Sequence, residues 1–532
     1  MNVEVKFDSN WVVNKKGAFR GTVFDEKEMK IEAAEYFKNK KYDNIPNFIE
    51  SLHGFWGAVV IENDTFVWLV SDVMRSFPVF YAQNDGILYI SNDTDWLKKK
   101  CRLSGVDSEA KNEFLSTGYV TGADTLYNGL KQLQAGEVVT FQHDSAKKEW
   151  YHNAYCYYRY LLQSEYECNH EELLDQFWNK LCTVFKRLIS YADGRALVVP
   201  LSGGYDSRLI AIMLKHFKYD NIITFSYGIL GNINSSISQK VASDLNIPWH
   251  FIEYTNADWR RWYLSNEMRS YEKYAGGFAS LPHFQDWPAV MKLKEKQLIP
   301  NDAIFVPGHC IEMGMRTEEY PEVYANSATI DDALNASVYL HYCLNGKYSD
   351  LVIMDKYKKR ILSRMENLSQ YISPASFFEC FEQQERQVKY INNSVRVYEF
   401  WGYDWWTPLW ERDYQNFWSH VPFREKKKRK LYIDNMKNLC SMYNVLDSKG
   451  AIRDDNNISF KSSMRKLCKK LLPGNLYAAI REMRKKGAGI NYQGAPLAYY
   501  GCFSKGQLRE HIKNGRNNIC GMLADEYITR IE

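Results

Sequence analysis

Ser202-Gly203-Gly204-Tyr205-Asp206-Ser207 lies between an apolar run, Ala196–Leu201, and a helix-patterned one, Leu209–Leu214. Hydroxyls, a carboxylate and two adjacent glycines at a strand-to-helix turn are groups that hold an anion. The first N–H groups of a helix lack partners, its dipole favours negative charge, and glycine lets oxygens approach the backbone. No Gly-Lys-Ser/Thr follows at the Walker spacing, so the segment is not that kind of phosphate loop. A turn that merely happens to contain two glycines is the bland alternative. The Asp and Ser placed after the glycines argue against it.

Such a loop needs a parallel sheet to carry it, and the chain supplies the pattern. From about residue 170 it alternates: helix 171–191, strand 196–201, helix 206–217, strand 222–226, helix 236–245, strand 250–254. A further strand, 303–306, ends in Pro307-Gly308-His309. This order predicts a doubly wound α/β domain with ligands at the C-terminal ends of its strands. The first hundred residues read instead as strands at 57–61, 66–70 and 86–90, with turns at Glu62-Asn63-Asp64 and Gln83–Gly86. Helices are expected at about 27–40, 45–52 and 108–116, a strand at 136–141, and a polar linker over 143–170. Residues beyond 330 read as helical. The expected division is a β-rich α+β domain over 1–160, the α/β domain over 165–440 and a basic helical extension over 441–532.

At 532 residues the chain is too long for one ordinary core, and its 45% apolar and 25% charged residues are those of a globular protein. No apolar run is long enough to span a bilayer, and the N-terminus lacks a secretory pattern. Eleven cysteines without a C-x-x-C pair argue against zinc ribbons and disulfide frameworks and fit a cytoplasmic location. Between Lys461 and Lys486 nine basic residues face only Glu482. That patch suits an anionic partner or, more simply, a solvated helical face.

Several ordered motifs carry a resemblance over roughly residues 50–440. Leu52-His53-Gly54-Phe55-Trp56-Gly57-Ala58 is similar to L-D-G-x-F-A-F, and Ser71–Tyr81 to R-D-x-x-G-x-x-P-L-Y-Y. Gly118-Tyr119-Val120 through Leu130, Leu133 and Gly136 match an interdomain strip. Ser202–Ser207 itself resembles the pyrophosphate loop (PP-loop) of enzymes that split ATP into AMP and pyrophosphate. Together they resemble the asparagine synthetase family, which joins a class II glutamine amidotransferase domain (Ntn-hydrolase-like) to a PP-loop (HUP-like) synthetase domain. The resemblance implies ATP and Mg²⁺ as cofactors. Gly203, Gly204, Ser207 and Ser202 would hold pyrophosphate, with adenine near Leu201, Phe225 and Ser226. The stretch Val306–Gly314 would stand for a second loop, S-G-E-G-x-D-E, bringing Gly308 to the site. In it Glu312 would join Asp206 as metal ligand, and His309 would replace the catalytic Glu. His309 reads equally well as a capping histidine on a strand-end loop. Phe400–Glu411 resembles V-E-x-R-x-P-F-L-D, which puts Asp404 in the place of the catalytic Glu and Trp406 in that of the Arg; core packing is the simpler role for Trp406. Lys461 is the nearest match to the family's late lysine.

The departures point to a lost partner activity. A working class II glutaminase begins with a cysteine, whereas Asn2 follows Met1 here and the first cysteine is Cys101. His53 stands where the family binds the substrate amine with Asp, and no N-G-E loop is found before residue 50. The implied reaction is adenylation of a carboxylate, aspartate or a related acid, followed by attack of an amine. The amine would be ammonia, would arrive from a partner glutaminase, or would belong to a second substrate; a homodimer is also compatible. Three readings stay open: an asparagine-synthase-like ligase, a macrolactam, β-lactam or sugar-acid amide synthetase, and an inactive nucleotide-binding scaffold.

Overall fold

The computed structural model describes residues 2–311, 314, 316–344, 351–365, 368, 370, 372–447, 495–516 and 518–532. Glu312, Lys461 and the basic patch lie outside the described residues.

The N-terminal part builds two sheets from β1 (Val3–Lys6), β2 (Val12–Asn14), β3 (Gly17–Phe24), β4 (Lys30–Glu32), β5 (His53–Asn63), β6 (Phe66–Ser71), β7 (Phe80–Asn84), β8 (Ile87–Ser91), β9 (Lys131–Gln132), β10 (Glu137–Asp144) and β11 (Glu149–Cys156). One sheet has the order β1-β8-β7-β9, the other β11-β10-β6-β5-β3-β2 with β4 on β3. Both expected hairpin turns are present, joining β5 to β6 and β7 to β8. The expected helix at 27–40 shrinks to Ala33–Phe37. The Asp25 carboxylate accepts from the N–H groups of Lys27 and Met29, and this turn sends Lys30–Glu32 back to pair with β3. The expected helix at 45–52 is two 3₁₀ turns. β11 occupies part of the expected linker. Its side chains are mostly exposed, with only Trp150 buried, so it lacks the alternation that marks a half-buried strand.

The second part opens with α1 (His170–Ala192), started by a capping box between Asn169 and Glu172. Five parallel strands follow: β12 (Leu197–Pro200), β13 (Ile222–Gly228), β14 (Trp249–Glu253), β15 (Ile304–Phe305) and β16 (Asp404–Trp405). Their order is β14-β13-β12-β15-β16. The chain starts in the middle, winds out to β14, then returns to lay β15 on the other flank of β12. That reversal makes the crevice past the ends of β12 and β15 the topological switch point, where open α/β sheets bind ligands. The helices α2 (Tyr205–His216), α3 (Ile233–Asp244) and α4 (Lys430–Met442) surround it.

One apolar core runs through both parts, from Val3 and Trp11 to Met522 and Tyr527. The C-terminal helix α5 (Ile519–Ile531) packs on the N-terminal part: Tyr527 stacks on Phe114, and Tyr127 donates to the Ile531 carbonyl at 3.0 Å.

Candidate active site

The loop after β12 is closed by its own hydroxyls. The Ser207 Oγ accepts from the Ser202 N–H at 3.0 Å and lies 3.0 Å from the Ser202 Oγ, which accepts from the Gly204 N–H at 3.1 Å. Gly204 caps α2 with extended backbone and no side-chain cap, leaving the helix N-terminus to a ligand. Gly308, in the loop after β15, meets the first loop closely. A Cβ on Gly308 would stand 2.8 Å from the Ser207 nitrogen, so only glycine allows β15's loop this close. A Cβ on Gly203 would stand 2.7 Å from the Asn234 Oδ1. Arg208 is fully buried beneath the turn, donating to the carbonyls of Leu446 at 2.7 Å and Gly203 at 3.3 Å. It braces the loop from inside rather than facing a phosphate or an acid.

Beside the loop a cavity of about 400 Å³ is lined by Leu201, Phe225 and Ser226, expected near adenine, and by Ser202, expected beside the pyrophosphate. That volume is in the range of small-molecule sites. The Ser226 Oγ is buried without a hydrogen-bond partner among the described residues, as a group awaiting a ligand would be. The sequence reading missed the roof. Pro496, Leu497, Tyr499, Tyr500 and Ile519 close the cavity from the C-terminal segment. The Trp259 Nε1 donates to the Leu497 carbonyl at 2.6 Å and the Ile229 N–H to that of Pro496 at 2.9 Å. Nothing in local sequence joins residue 500 to residue 225; only the tertiary fold does.

Asp206 sits in the first turn of α2 with one oxygen engaged: its Oδ1 accepts from the Arg429 Nη2 at 3.0 Å and the Tyr432 hydroxyl at 2.5 Å. Both partners flank the start of α4, where Lys428 and Arg429 take left-handed backbone angles. The Asp206 Oδ2 has no protein partner among the described residues, so one carboxylate oxygen remains for a cation. One carboxylate with substrate phosphates and water is a usual Mg²⁺ arrangement, and among the described residues no cluster of three or more ligating side chains is found.

His309 follows Gly308 directly. Its Nε2 lies 3.1 Å from the Ser394 Oγ, and its Nδ1 is buried with no partner among the described residues. Burial lowers its pKa to about 4, against the pull of Asp286. His283, also lowered to about 4 by burial and then by Arg386, is a neighbour within electrostatic range. Asp286 is buried nearby and takes the Tyr398 hydroxyl at 2.6 Å and that of Tyr227. A neutral imidazole with a free nitrogen, adjoining the phosphate loop, can accept a proton or a hydrogen bond.

Asp404 is not brought to this site. It pairs with Ile304, which pairs with Leu197, so it lies level with the start of β12. At ~3.3 Å per residue that is about 15 Å short of Ser202. There it binds the Arg195 Nη1 at 2.6 Å and is half exposed. Motif matching put an acid in this stretch, but the stretch meets the wrong end of the sheet.

Two residues that depart from the family motifs, His53 and Trp406, lie at the contact between the two parts. The His53 Nδ1 lies 3.5 Å from the Asp413 Oδ2, and burial, then Arg187, lowers its pKa to about 4. Arg187, on α1, holds Glu28 from the N-terminal part together with Glu411 and Asp413, at 2.6 to 2.8 Å. Trp406 is buried between Phe24, Phe55 and Tyr191, and its Nε1 donates to Glu411 at 3.0 Å. Its role is core packing, the simpler of the two expectations.

Comparison with family models gives two matches: a glutamine amidotransferase domain over residues 42–152 and asparagine synthase over residues 190–284. No curated protein matches the chain significantly. The two matched segments fall on the two parts described above.

Proposed function

We propose that this chain, whose two parts match a glutamine amidotransferase domain and asparagine synthase, is an amide-forming ligase that adenylates a carboxylic acid with ATP, using nothing from its own glutaminase fold. The observation that carries the reading is the juxtaposition of the Ser202–Ser207 loop with Gly308, beside a cavity of nucleotide size. ATP binds with its base against Leu201, Phe225 and Ser226 and its phosphates along Ser202–Ser207. The acyl carboxylate attacks the α-phosphorus, and pyrophosphate leaves toward the N-terminus of α2, where oriented N–H groups meet the charge that develops. Mg²⁺, if bound, would be held by Asp206 and would supply further positive charge to the leaving group. His309 accepts a proton from the amine as it attacks the acyl-adenylate, and AMP departs. Aspartate or a related acid serves as the acyl donor.

Loss of glutaminase activity is supported inside the fold. His53, at the family's amine-binding position, is turned onto Asp413. Within residues 2–160 the thiols are Cys101, whose pKa burial pushes up to about 11, and Cys156, which donates to the Tyr158 carbonyl. Neither is an activated nucleophile. Ammonia or an amine-bearing substrate then completes the reaction.

The test is pyrophosphate release from ATP by the purified chain, screened over aspartate, uronic acids and peptides with ammonia present. Release with a carboxylate, abolished by Asp206→Ala, is expected. ATP binding without release for any acid would leave only a scaffold, and glutamine hydrolysis would overturn the second half of the reading.

A further inference from the structure

Where the two parts meet, on the side of β3 and β7, three arginines surround one small cavity: Arg20, Arg75 and Arg396. All three are largely buried, with side-chain exposures of 11% for Arg20 and 5% for Arg396, and 6% for Arg75 as a whole residue. One carboxylate serves them. Glu399, itself buried, takes the Arg20 Nη2 at 2.9 Å and the Arg396 Nη1 at 2.7 Å, and its remaining capacity goes to the Tyr274 hydroxyl and the Trp405 Nε1, each at 2.8 Å. Arg75 has only neutral acceptors, the Leu133 carbonyl and the Gln132 Oε1, both at 2.9 Å. No acid among the described residues lies within ion-pair distance of it. The Arg396 Nε has no partner there either.

Three guanidiniums against one carboxylate leave an excess of two positive charges in a seam screened from water. An uncompensated buried charge costs several kcal/mol. Nearby acids offset it only in part and without an ion pair: Glu385 and Glu137 pull the Arg75 pKa up and Asp8 that of Arg20. Glu385 is already shared between Arg364 and Lys389, each at 2.6 Å, and Glu137 accepts from the Gln134 N–H. Burial, then the neighbouring Arg396, lowers the pKa of Arg75 to about 9, the strain expected of a guanidinium without a counter-ion.

The open space is about 20 Å³. About 10–15 Å³ by this measure seats one water. The cavity therefore admits a particle of that scale and excludes a nucleotide, a sugar acid or a glutamine side chain. Asn393 and Asn92 also line it; each Nδ2 already donates one hydrogen, to the Ala275 carbonyl and to the Asp8 Oδ2, both at 2.7 Å, and carries a second.

We propose that this interdomain cavity is a binding site for one small monovalent anion of halide size, held by Arg75 and Arg396 with Arg20 behind them. The site is separate from the nucleotide cavity and does not depend on the proposed reaction. Its occupant would pin the N-terminal part, through Arg20 and Arg75, to the turn that carries Asn393 and, one residue on, Ser394, the partner of His309.

Bromide tests the site directly, because it scatters anomalously and replaces chloride. Crystals of the full chain grown with sodium bromide should show an anomalous peak between Arg75 and Arg396. In solution, melting temperature is followed as chloride replaces gluconate, an anion too large for the cavity, at constant ionic strength. The wild type should be stabilised saturably, and Arg75→Met should bind chloride about tenfold more weakly, since one of the charge-assisted bonds is gone. Absence of a bromide peak in wild-type crystals would overturn the assignment without reference to any variant. So would an Arg75→Met protein whose chloride response equals that of the wild type.

Discussion

Arg187→Met should be among the most damaging substitutions outside the nucleotide site, and its cost can be worked from the contacts. Arg187 holds three acids, but they differ in what they lose. Glu28 is half exposed, and an exposed pair is worth about 0–1 kcal/mol. Glu411 is fully buried, and stripping the partner from a buried charge costs about 3–5 kcal/mol. The expected loss is therefore about 3–5 kcal/mol and comes chiefly from Glu411. Burial already holds the Glu411 pKa up at about 7, with Arg187 opposing it. A carboxyl raised in the folded state contributes stability below its ordinary value near 4.5, and that contribution is lost as pH rises through the folded value. Without Arg187 the folded value climbs further, so the variant's deficit should widen between about pH 6 and about pH 8. Urea denaturation followed by tryptophan fluorescence measures it, with Trp406 as a probe at the contact. Adding Glu411→Gln removes the stranded charge and should restore about 2 kcal/mol or more relative to Arg187→Met alone. Strictly additive losses in the double variant, or a deficit independent of pH, would refute the reasoning.

Two further outcomes concern the site itself. Gly308→Ala places a Cβ 2.8 Å from the Ser207 backbone nitrogen and should lower pyrophosphate release about 100-fold or more while the fold survives, as checked by circular dichroism. Gly203→Ala meets the ends of two side chains, the Asn234 Oδ1 at 2.7 Å and the Ile237 Cδ1 at 3.2 Å, and should be much milder; equal effects would argue against the close approach of the two loops. His309→Gln should reduce kcat about 100-fold, and Ser394→Ala, which frees the imidazole, about tenfold. Because His309 has its pKa lowered to about 4, it adds stability above the ordinary histidine value of 6.5 and loses it as pH falls toward 4. The wild-type rate should therefore show no inflection near 6.5 from this residue, and one that His309→Gln removes would contradict its neutral state.

Much of the site was legible because its parts are local. Ser202–Ser207 carries its own turn and anion chemistry within six residues, Leu201 directly follows β12, and Phe225 and Ser226 lie in the adjacent β13. Gly308 could be placed only through the resemblance of Val306–Gly314 to the family's second loop. Three features were out of reach. Asp404 carries the right chemistry in a two-residue strand whose level in the sheet no local pattern sets. Arg429, partner of Asp206, lies 223 residues away within a run of basic residues, Lys426–Lys430. Tyr499 and Tyr500 line the nucleotide cavity from a segment whose aromatic residues look like ordinary core. Pairing over such separations depends on the closed tertiary structure rather than on periodicity.

The roof over the nucleotide cavity also bears on how the chain is made. Strands β12 and β13 leave the ribosome well before residues 495–500 and 519, while domains tend to fold as they emerge. Until that late segment arrives, Phe225, Tyr227 and Trp259 have no cover on that side, and nucleotide has no enclosed place to bind. The nascent chain thus passes through an interval in which Phe225, Tyr227 and Trp259 are open to chaperones and to other chains. A ligand of the cavity rescues it from neither, since a ligand stabilises only a site that already exists.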